Sequence, residues 1–381
     1  MSEAPAAAGY DRAPMLPTYG ADCIDSVVPA LMAPPGERPT WIPEPARNAR
    51  QVVLLVLDGL GWLQLGDNRR YAPTLSAMAG GPVTSVVPTT TATALSSLVT
   101  GSAPAAHGVV GYRLRVQGPE GADEVLNVLR WRTRSGDARS FVPPVGFCRV
   151  PAFAGAPVPV VSRVEFTGTG FTTAHQGGAR EVGYAVPSGL AVEVRQELAA
   201  GTPFVYAYYD GVDKVAHRSG LGEHYQAELR AADRLVADVL SVLPPGAALA
   251  VTADHGQVSV GDRTSVLRPD VVAGATLISG EARFRWLHAV AGAQRDLLDA
   301  ARDVYGHESW VASADEVIDE GWFGGPLEHE VRRRIGDVAI VPFAPVGYLD
   351  PEDTGDVRLV CRHGSLTPEE MLVPLVAAGR D

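Results

Sequence analysis

The chain has 381 residues, 46% of them hydrophobic and 20% charged. That balance excludes a disordered or fibrous protein and suffices for one large core carrying an inserted subdomain. A formal charge of −12 disfavours stable binding to nucleic acid or an anionic membrane.

Any phosphate site in such a chain must gain positive charge locally, and bound metal ions are one source. Cys23, Cys148 and Cys361 are odd in number and far apart, which supports neither a thiolate metal site nor a disulfide framework. The N-terminus lacks a basic start followed by an apolar core, and no apolar run reaches the ~18 residues of a membrane helix. The expectation is a cytoplasmic protein with no membrane partner.

Residues 1–48 are Pro-rich and irregular and are read as a segment packing on the core, with a short helix at 23–32. The apolar run 52–57 reads as a buried parallel strand ending at Asp58-Gly59, and the carboxyl ends of such strands carry the chemistry of α/β proteins. Residues 71–79 read as a helix, 84–87 as a strand, and 94–100 as a helix stopped by Gly101. Residues 113–190 are read as an insertion plus part of the core. A helix at 191–200 and a buried strand at 203–209 follow. In the helix 224–243, Leu229, Ala232, Leu235, Val236, Val239 and Leu240 share one face. Pro244-Pro245-Gly246 breaks it, and 248–252 is another buried strand before Asp254. Strand-like runs at 275–278 and 284–290 around a helix at 294–305 suggest a small α+β cap over 262–335. Strands at 338–341 and 357–360 return to the core, the latter leading to His363. The predicted architecture is an α/β sandwich with a largely parallel central sheet, its catalytic core formed by 49–261 and 336–381.

Chemistry-bearing side chains cluster just past the apolar strands. Asp58, Asp213 and Asp254 with His217, His255 and His363 make three carboxylates and three imidazoles, beside a Thr/Ser-rich run from Thr89. Zinc takes oxygen and nitrogen ligands in four-coordination, so two ions need about eight positions, which these groups, a hydroxyl and substrate oxygens nearly fill. Asp213 and His217 share one face if their segment is helical. Each piece alone has a structural alternative: a turn, a surface pair, a buried histidine bonded to backbone, or hydroxyls capping a helix. Together, in this order, all of those alternatives must hold at once.

At these residues the sequence resembles the nucleotide pyrophosphatase/phosphodiesterase branch of the alkaline phosphatase superfamily, to which phosphonoacetate hydrolases are related. That family has a Thr ten residues before the Gly of a hydrophobic-Thr-Gly motif, then a His-Gly. Here Thr91 stands ten before Gly101, and His107-Gly108 follows, with Thr89, Thr90 and Thr93 as rivals. The resemblance implies an alkaline phosphatase-like sandwich and Thr91 as nucleophile, forming a phosphothreonine. It implies one divalent ion on Asp58, Thr91, Asp254 and His255 and a second on Asp213, His217 and His363, zinc first, with manganese or iron as alternatives. Asp210 ranks below Asp213, which alone has His217 as partner. The helix expected to begin near Thr93 would offer backbone N–H groups to a phosphoryl oxygen.

The chain departs from the family at Ala92-Thr93-Ala94 and at Tyr112, positions where Asn is common. Tyr112 becomes the candidate substrate-binding donor. The implied activity is hydrolysis of a small phosphoester, a nucleotide among the candidates, by a phosphodiesterase/nucleotide pyrophosphatase. A phosphomonoesterase or phosphonate C–P hydrolase is the enzymatic alternative, and a metal-binding pseudo-enzyme the non-enzymatic one. Trp286, Trp310, Trp322 and Phe343 are candidates for stacking on a base or aryl group, with core packing as their commoner role.

Overall fold

The computed structural model describes residues 13–350 and 358–380. A seven-stranded sheet runs in the order Ala79–Thr84, Leu372–Gly379, Ala247–Thr252, Gln51–Leu57, Phe204–Tyr209, Pro159–Arg163, Arg180–Tyr184. Neighbours from Ala247–Thr252 to Arg180–Tyr184 pair in parallel, and the remaining two strands add on antiparallel. The fold class is therefore the expected α/β sandwich on a largely parallel sheet. Residues 52–57 are wholly buried, which is why this strand is an unbroken apolar run rather than an alternating one. The helix Glu223–Ser241 buries Leu229, Ala232, Leu235, Val236 and Val239 as its period requires. Residues 24–32 form a 3-10 turn and the helix Val27–Met32, buried against the main core.

A second, antiparallel sheet orders Ala275–Glu281, Phe284–Ala289, Val338–Pro342 and Ser309–Ser313. The helix Gln294–Tyr305 buries Leu297, Ala301 and Tyr305 in the separate core of this unit. The strand Val338–Pro342 lies between two cap strands, so the small sheet extends past the boundary expected at 335. A third sheet is built on the hairpin of Arg113–Gln117 and Asp123–Asn127.

Other local expectations shift. The strand expected at 84–87 is Ala79–Thr84, where Pro82 is tolerated because this strand is at the sheet edge. The helix expected at 71–79 is the short Pro73–Ala77. Of the strand expected at 357–360, residue 357 lies outside the described residues; Cys361–Arg362 pairs instead with Val258–Ser259. The helix stopped by Gly101 begins at Thr91 rather than near Thr93, with Thr90 as N-cap.

A buried ion pair ties the cap to the core. Arg283, in the turn between two cap strands, donates Nε to Glu370 Oε1 (2.8 Å) and Nη2 to Oε2 (2.7 Å), both side chains fully buried. Glu370 also accepts from Ser365 N at 3.0 Å and Thr367 Oγ1 at 2.7 Å, holding the segment that follows His363. Removing one partner strands the other charge in the interior. Glu370→Ala should cost about 3–5 kcal/mol, read as a lowered urea midpoint. An unchanged midpoint would contradict this role.

Candidate metal centre

Three adjacent strand ends deliver most of the site. Asp58 follows Gln51–Leu57, and Asp254 and His255 follow Ala247–Thr252. Asp213 and His217 lie on the helix Gly211–Ser219, just after Phe204–Tyr209. His363 follows the short strand Cys361–Arg362, and Thr91 opens the helix Thr91–Thr100. Gly59 lets these elements close up. Its φ is +74°, and a Cβ there would stand 2.9 Å from Asp213 Cβ and 2.8 Å from Gln257 Nε2.

The imidazoles share one orientation. Nδ1 of His217 faces the Cys361 carbonyl at 2.7 Å, that of His363 the Thr89 carbonyl at 2.8 Å, and that of His255 the Gly256 carbonyl at 3.0 Å. A carbonyl only accepts, so each Nδ1 carries the hydrogen and each Nε2 presents a lone pair. Yet His217 Nε2 and His363 Nε2 stand 3.2 Å apart, acceptor to acceptor. Burial, then the charges of His255 and His217, hold His363 well below the usual imidazole range, so a proton is a poor bridge. A cation suits the gap.

The carboxylates face the same way. Asp58 Oδ2 accepts from the Tyr208 hydroxyl, while its buried Oδ1 has no hydrogen-bond partner and lies 3.5 Å from His255 Nε2. Asp254 Oδ1 accepts from Gly59 N (3.0 Å) and His255 N (3.1 Å), while its buried Oδ2 also lacks a partner and lies 3.4 Å from His255 Nε2. Asp213 Oδ1 is 3.2 Å from His217 Nε2 and 3.9 Å from His363 Nε2 and accepts from Gln257 Nε2 at 2.6 Å. Asp213, His217 and His363 form one group with ligand atoms within 4.8 Å of one another, and Asp58, Asp213 and His255 form another. Asp213 is thus common to both groups. Asp210 is in neither, its carboxylate facing Lys214 and Arg163. Orphaned buried oxygens and inward lone pairs are the donor chemistry of a divalent metal site.

The four threonines separate by position. Thr89 Oγ1 donates to Ser365 O (2.7 Å) and accepts from Gly364 N (3.0 Å), bracing the His363 strand. Thr93 Oγ1 is buried without a hydrogen-bond partner. Thr91 Oγ1 lies 3.1 Å from His255 Nε2, so given the tautomer above the threonine donates. Thr90 and Thr91 line a cavity of about 250 Å³ with Tyr112, Asp213, His217 and His363. Tyr112 Oη accepts from Asn127 Nδ2 at 2.6 Å. His107 Nδ1 accepts from Val109 N at 3.1 Å, so its Nε2–H donates to Ser97 Oγ at 2.7 Å. Burial holds this imidazole down to about 3, neutral, pinning the helix that carries Thr91.

Trp286 and Trp322 are buried against Phe284, and Trp310 packs edge-on to Phe343 at 5.4 Å; none of the four candidate aromatics lines this cavity. Sequence reasoning missed Tyr208 and Gln257. The available signals were the alternation of Tyr206 and Tyr208 along one strand and the position of Gln257 in the turn already holding Asp254.

Donors gathered at the carboxyl ends of adjacent parallel strands, on this sheet order, sit on an alkaline phosphatase-like fold. The profile of the type I phosphodiesterase / nucleotide pyrophosphatase family matches residues 52–365, and the chain belongs to that metal-dependent family of hydrolases acting on phosphoric ester bonds. Comparison with curated protein sequences gave no match. Among solved structures, murine ectonucleotide pyrophosphatase/phosphodiesterase 5 is similar at a TM-score of 0.64 and 15% identity, over 86% of this chain and 88% of that one. An inactive threonine-to-alanine variant of the murine protein, in complex with AMP, is similar at 0.63 and 14% identity, over 87% and 88%. Phosphonoacetate hydrolase from Sinorhizobium meliloti 1021, in complex with phosphonoformate, is similar at 0.62 and 19% identity, over 87% and 91%. Among the described residues no helix is long and apolar enough to cross a membrane.

The Asp58 carboxyl is raised well above its ordinary 3.8, first by burial and then by the charges of Asp254 and Asp213. A carboxyl raised by folding keeps its proton in the native state after the unfolded chain has lost it. The metal-free fold therefore loses stability as pH rises towards the native value. A cation at Asp58 takes the proton's place and removes that loss. The gain in Tm of metal-loaded over chelator-treated protein should be larger at about pH 8 than at about pH 5. An equal or reversed gain in thermal melts would argue against Asp58 as a ligand.

Proposed function

We propose that the chain is a phosphodiesterase/nucleotide pyrophosphatase that hydrolyses a small phosphoester through a phosphothreonine on Thr91. The observation that carries this reading is the placement of Thr91 Oγ1, 3.1 Å from His255 Nε2 and in one cavity with Asp213, His217 and His363. In this reading Asp58, Asp254, His255 and the Thr91 hydroxyl would hold one divalent ion, and Asp213, His217 and His363 a second, zinc being the first choice for such a nitrogen and oxygen set. Such ions supply Lewis acidity towards a phosphoryl oxygen and lower the pKa of a hydroxyl.

The chain's own groups do the rest. Thr91 Oγ1 attacks phosphorus, its bond to phosphorus forms as the bond to the leaving oxygen breaks, and water then cleaves the threonine ester and restores the hydroxyl. The N–H groups of residues 91–93 precede the first intrahelical bond, Ala94 N to Thr90 O at 2.9 Å, and would be the candidate backbone donors to a phosphoryl oxygen. Tyr112 is the further candidate donor from the cavity wall. The murine neighbour's AMP complex favours a nucleotide-type substrate, and the likeness to phosphonoacetate hydrolase keeps a phosphonate C–P hydrolase as the second reading. Cytoplasmic residence is supported by three cysteines that are all free and buried.

Bis-p-nitrophenyl phosphate, p-nitrophenyl phosphate and phosphonoacetate, offered to protein of known metal content, separate diesterase, monoesterase and phosphonate hydrolase. Thr91→Ala should lower kcat on the preferred substrate by about 10³-fold or more while elemental analysis finds its metal retained. Wild-type turnover by that variant removes Thr91 from the chemistry. His363→Ala should lose metal, and unchanged metal content would strike it from the ligand set. Metal binding without turnover on any of the three would favour a pseudo-enzyme.

A further inference from the structure

The segment that carries Asp254 and His255 also reaches the other half of the site. Gln257, two residues after His255, is 1% exposed, and its Nε2 donates to Asp213 Oδ1 at 2.6 Å. A carboxylate only accepts, so the amide nitrogen is the atom that must face it, and Gln257 Oε1 is left buried with no hydrogen-bond partner. An orphaned acceptor of this kind costs stability and calls for a compensating role. The main chain around it is held in place. Gln64 Nε2 donates to the Gln257 carbonyl at 2.6 Å and to the Glu369 carbonyl at 3.2 Å. Room for Gln64 comes from Gly61, where a Cβ would overlap Gln64 Oε1 and stand 2.9 Å from Gly256 Cα. Beyond Gln257, Val258–Ser259 pairs with Cys361–Arg362, the strand that delivers His363.

Of the three carboxylates, Asp213 has most need of a fixed partner. Its side chain is 15% accessible, against 4% for Asp58 and 0% for Asp254. Tyr208 anchors Asp58, and two main-chain N–H groups anchor Asp254. Asp213 sits on a helix, and the oxygen that accepts from Gln257 is the one standing 3.2 Å from His217 Nε2 and 3.9 Å from His363 Nε2. Both imidazoles present lone pairs there, and acceptors facing one another repel, so a donor is needed to keep that oxygen in position. We infer that Gln257 is a positioning residue: its amide holds Asp213 Oδ1 beside His217 and His363, so that the second ion depends on a side chain of the segment that supplies ligands to the first. This rests on the two-ion reading of the site.

The test uses full-length protein stripped of metal and titrated with zinc in competition with a chromophoric chelator, so that each ion's affinity is read without reference to turnover. Gln257→Met keeps the length of the side chain but cannot donate. In it, one of the two zinc ions should bind about tenfold or more weakly while the other keeps its wild-type affinity, the loss expected when a group that orients a metal ligand is removed. Gln257→Asn, too short to reach Asp213, should give the same pattern. In an Asp213→Ala background, Gln257→Met should change the affinity of the remaining ion by less than about twofold, because the amide then has nothing to orient. Wild-type affinity for both ions in Gln257→Met, or a further loss in the Asp213→Ala background, would overturn the positioning role. So would equal weakening of both ions in the two single variants, which marks a segment that has come apart with Asp254 and His255 in it. Wild-type protein that binds fewer than two zinc ions would instead sink the two-ion reading itself.

Discussion

Lone pairs that face one another, with their hydrogens turned outward, are the constraint on which this molecule depends. His217 Nε2 and His363 Nε2 meet at 3.2 Å, and the unpartnered oxygens of Asp58 and Asp254 close on His255 Nε2. In a dry interior such a set repels itself unless a cation lies among its members. The imidazoles are aimed by main-chain carbonyls of Cys361, Thr89 and Gly256, so their orientation is a property of the fold rather than of other side chains.

The sheet explains how such a set is assembled. Three neighbouring parallel strands end together, and each releases its chain at the same edge with a carboxylate or imidazole in the next few residues. The remaining groups come from farther away and need bracing. Thr89 grips the turn at Gly364, His107 pins the helix of Thr91, and the Arg283–Glu370 pair locks the cap turn to the segment after His363. The cap turn is thereby held beside the candidate metal centre, and Arg285 of the adjoining strand lines the same cavity as Thr91.

What was legible in the sequence follows from the same physics. Buried parallel strands are continuous apolar runs, so Asp58 and Asp254 could be seen to stand at strand ends, and the spacing of Asp213 and His217 reads directly as one helix face. The C-terminal strand Leu372–Gly379 was not legible because Pro374 reads as a breaker; in the fold it faces Pro82 of the neighbouring strand. Val338–Pro342 reads equally well as a core or a cap strand, and only its two cap neighbours decide. Tyr208 and Gln257 reach Asp58 and Asp213, partners distant in sequence, which no local pattern encodes. Thr91 stood out among four threonines only by its register to Gly101, whereas in three dimensions its distance to His255 separates it at once.

The most direct measurement of the central claim is anomalous X-ray scattering, above and below metal absorption edges, from crystals of the purified protein. Metal peaks are expected at the inward-facing atoms of His217, His363 and Asp213 and of Asp58, Asp254 and His255. Fully ordered side chains at these positions with no anomalous peak among them, in crystals grown with divalent metal present, would contradict it.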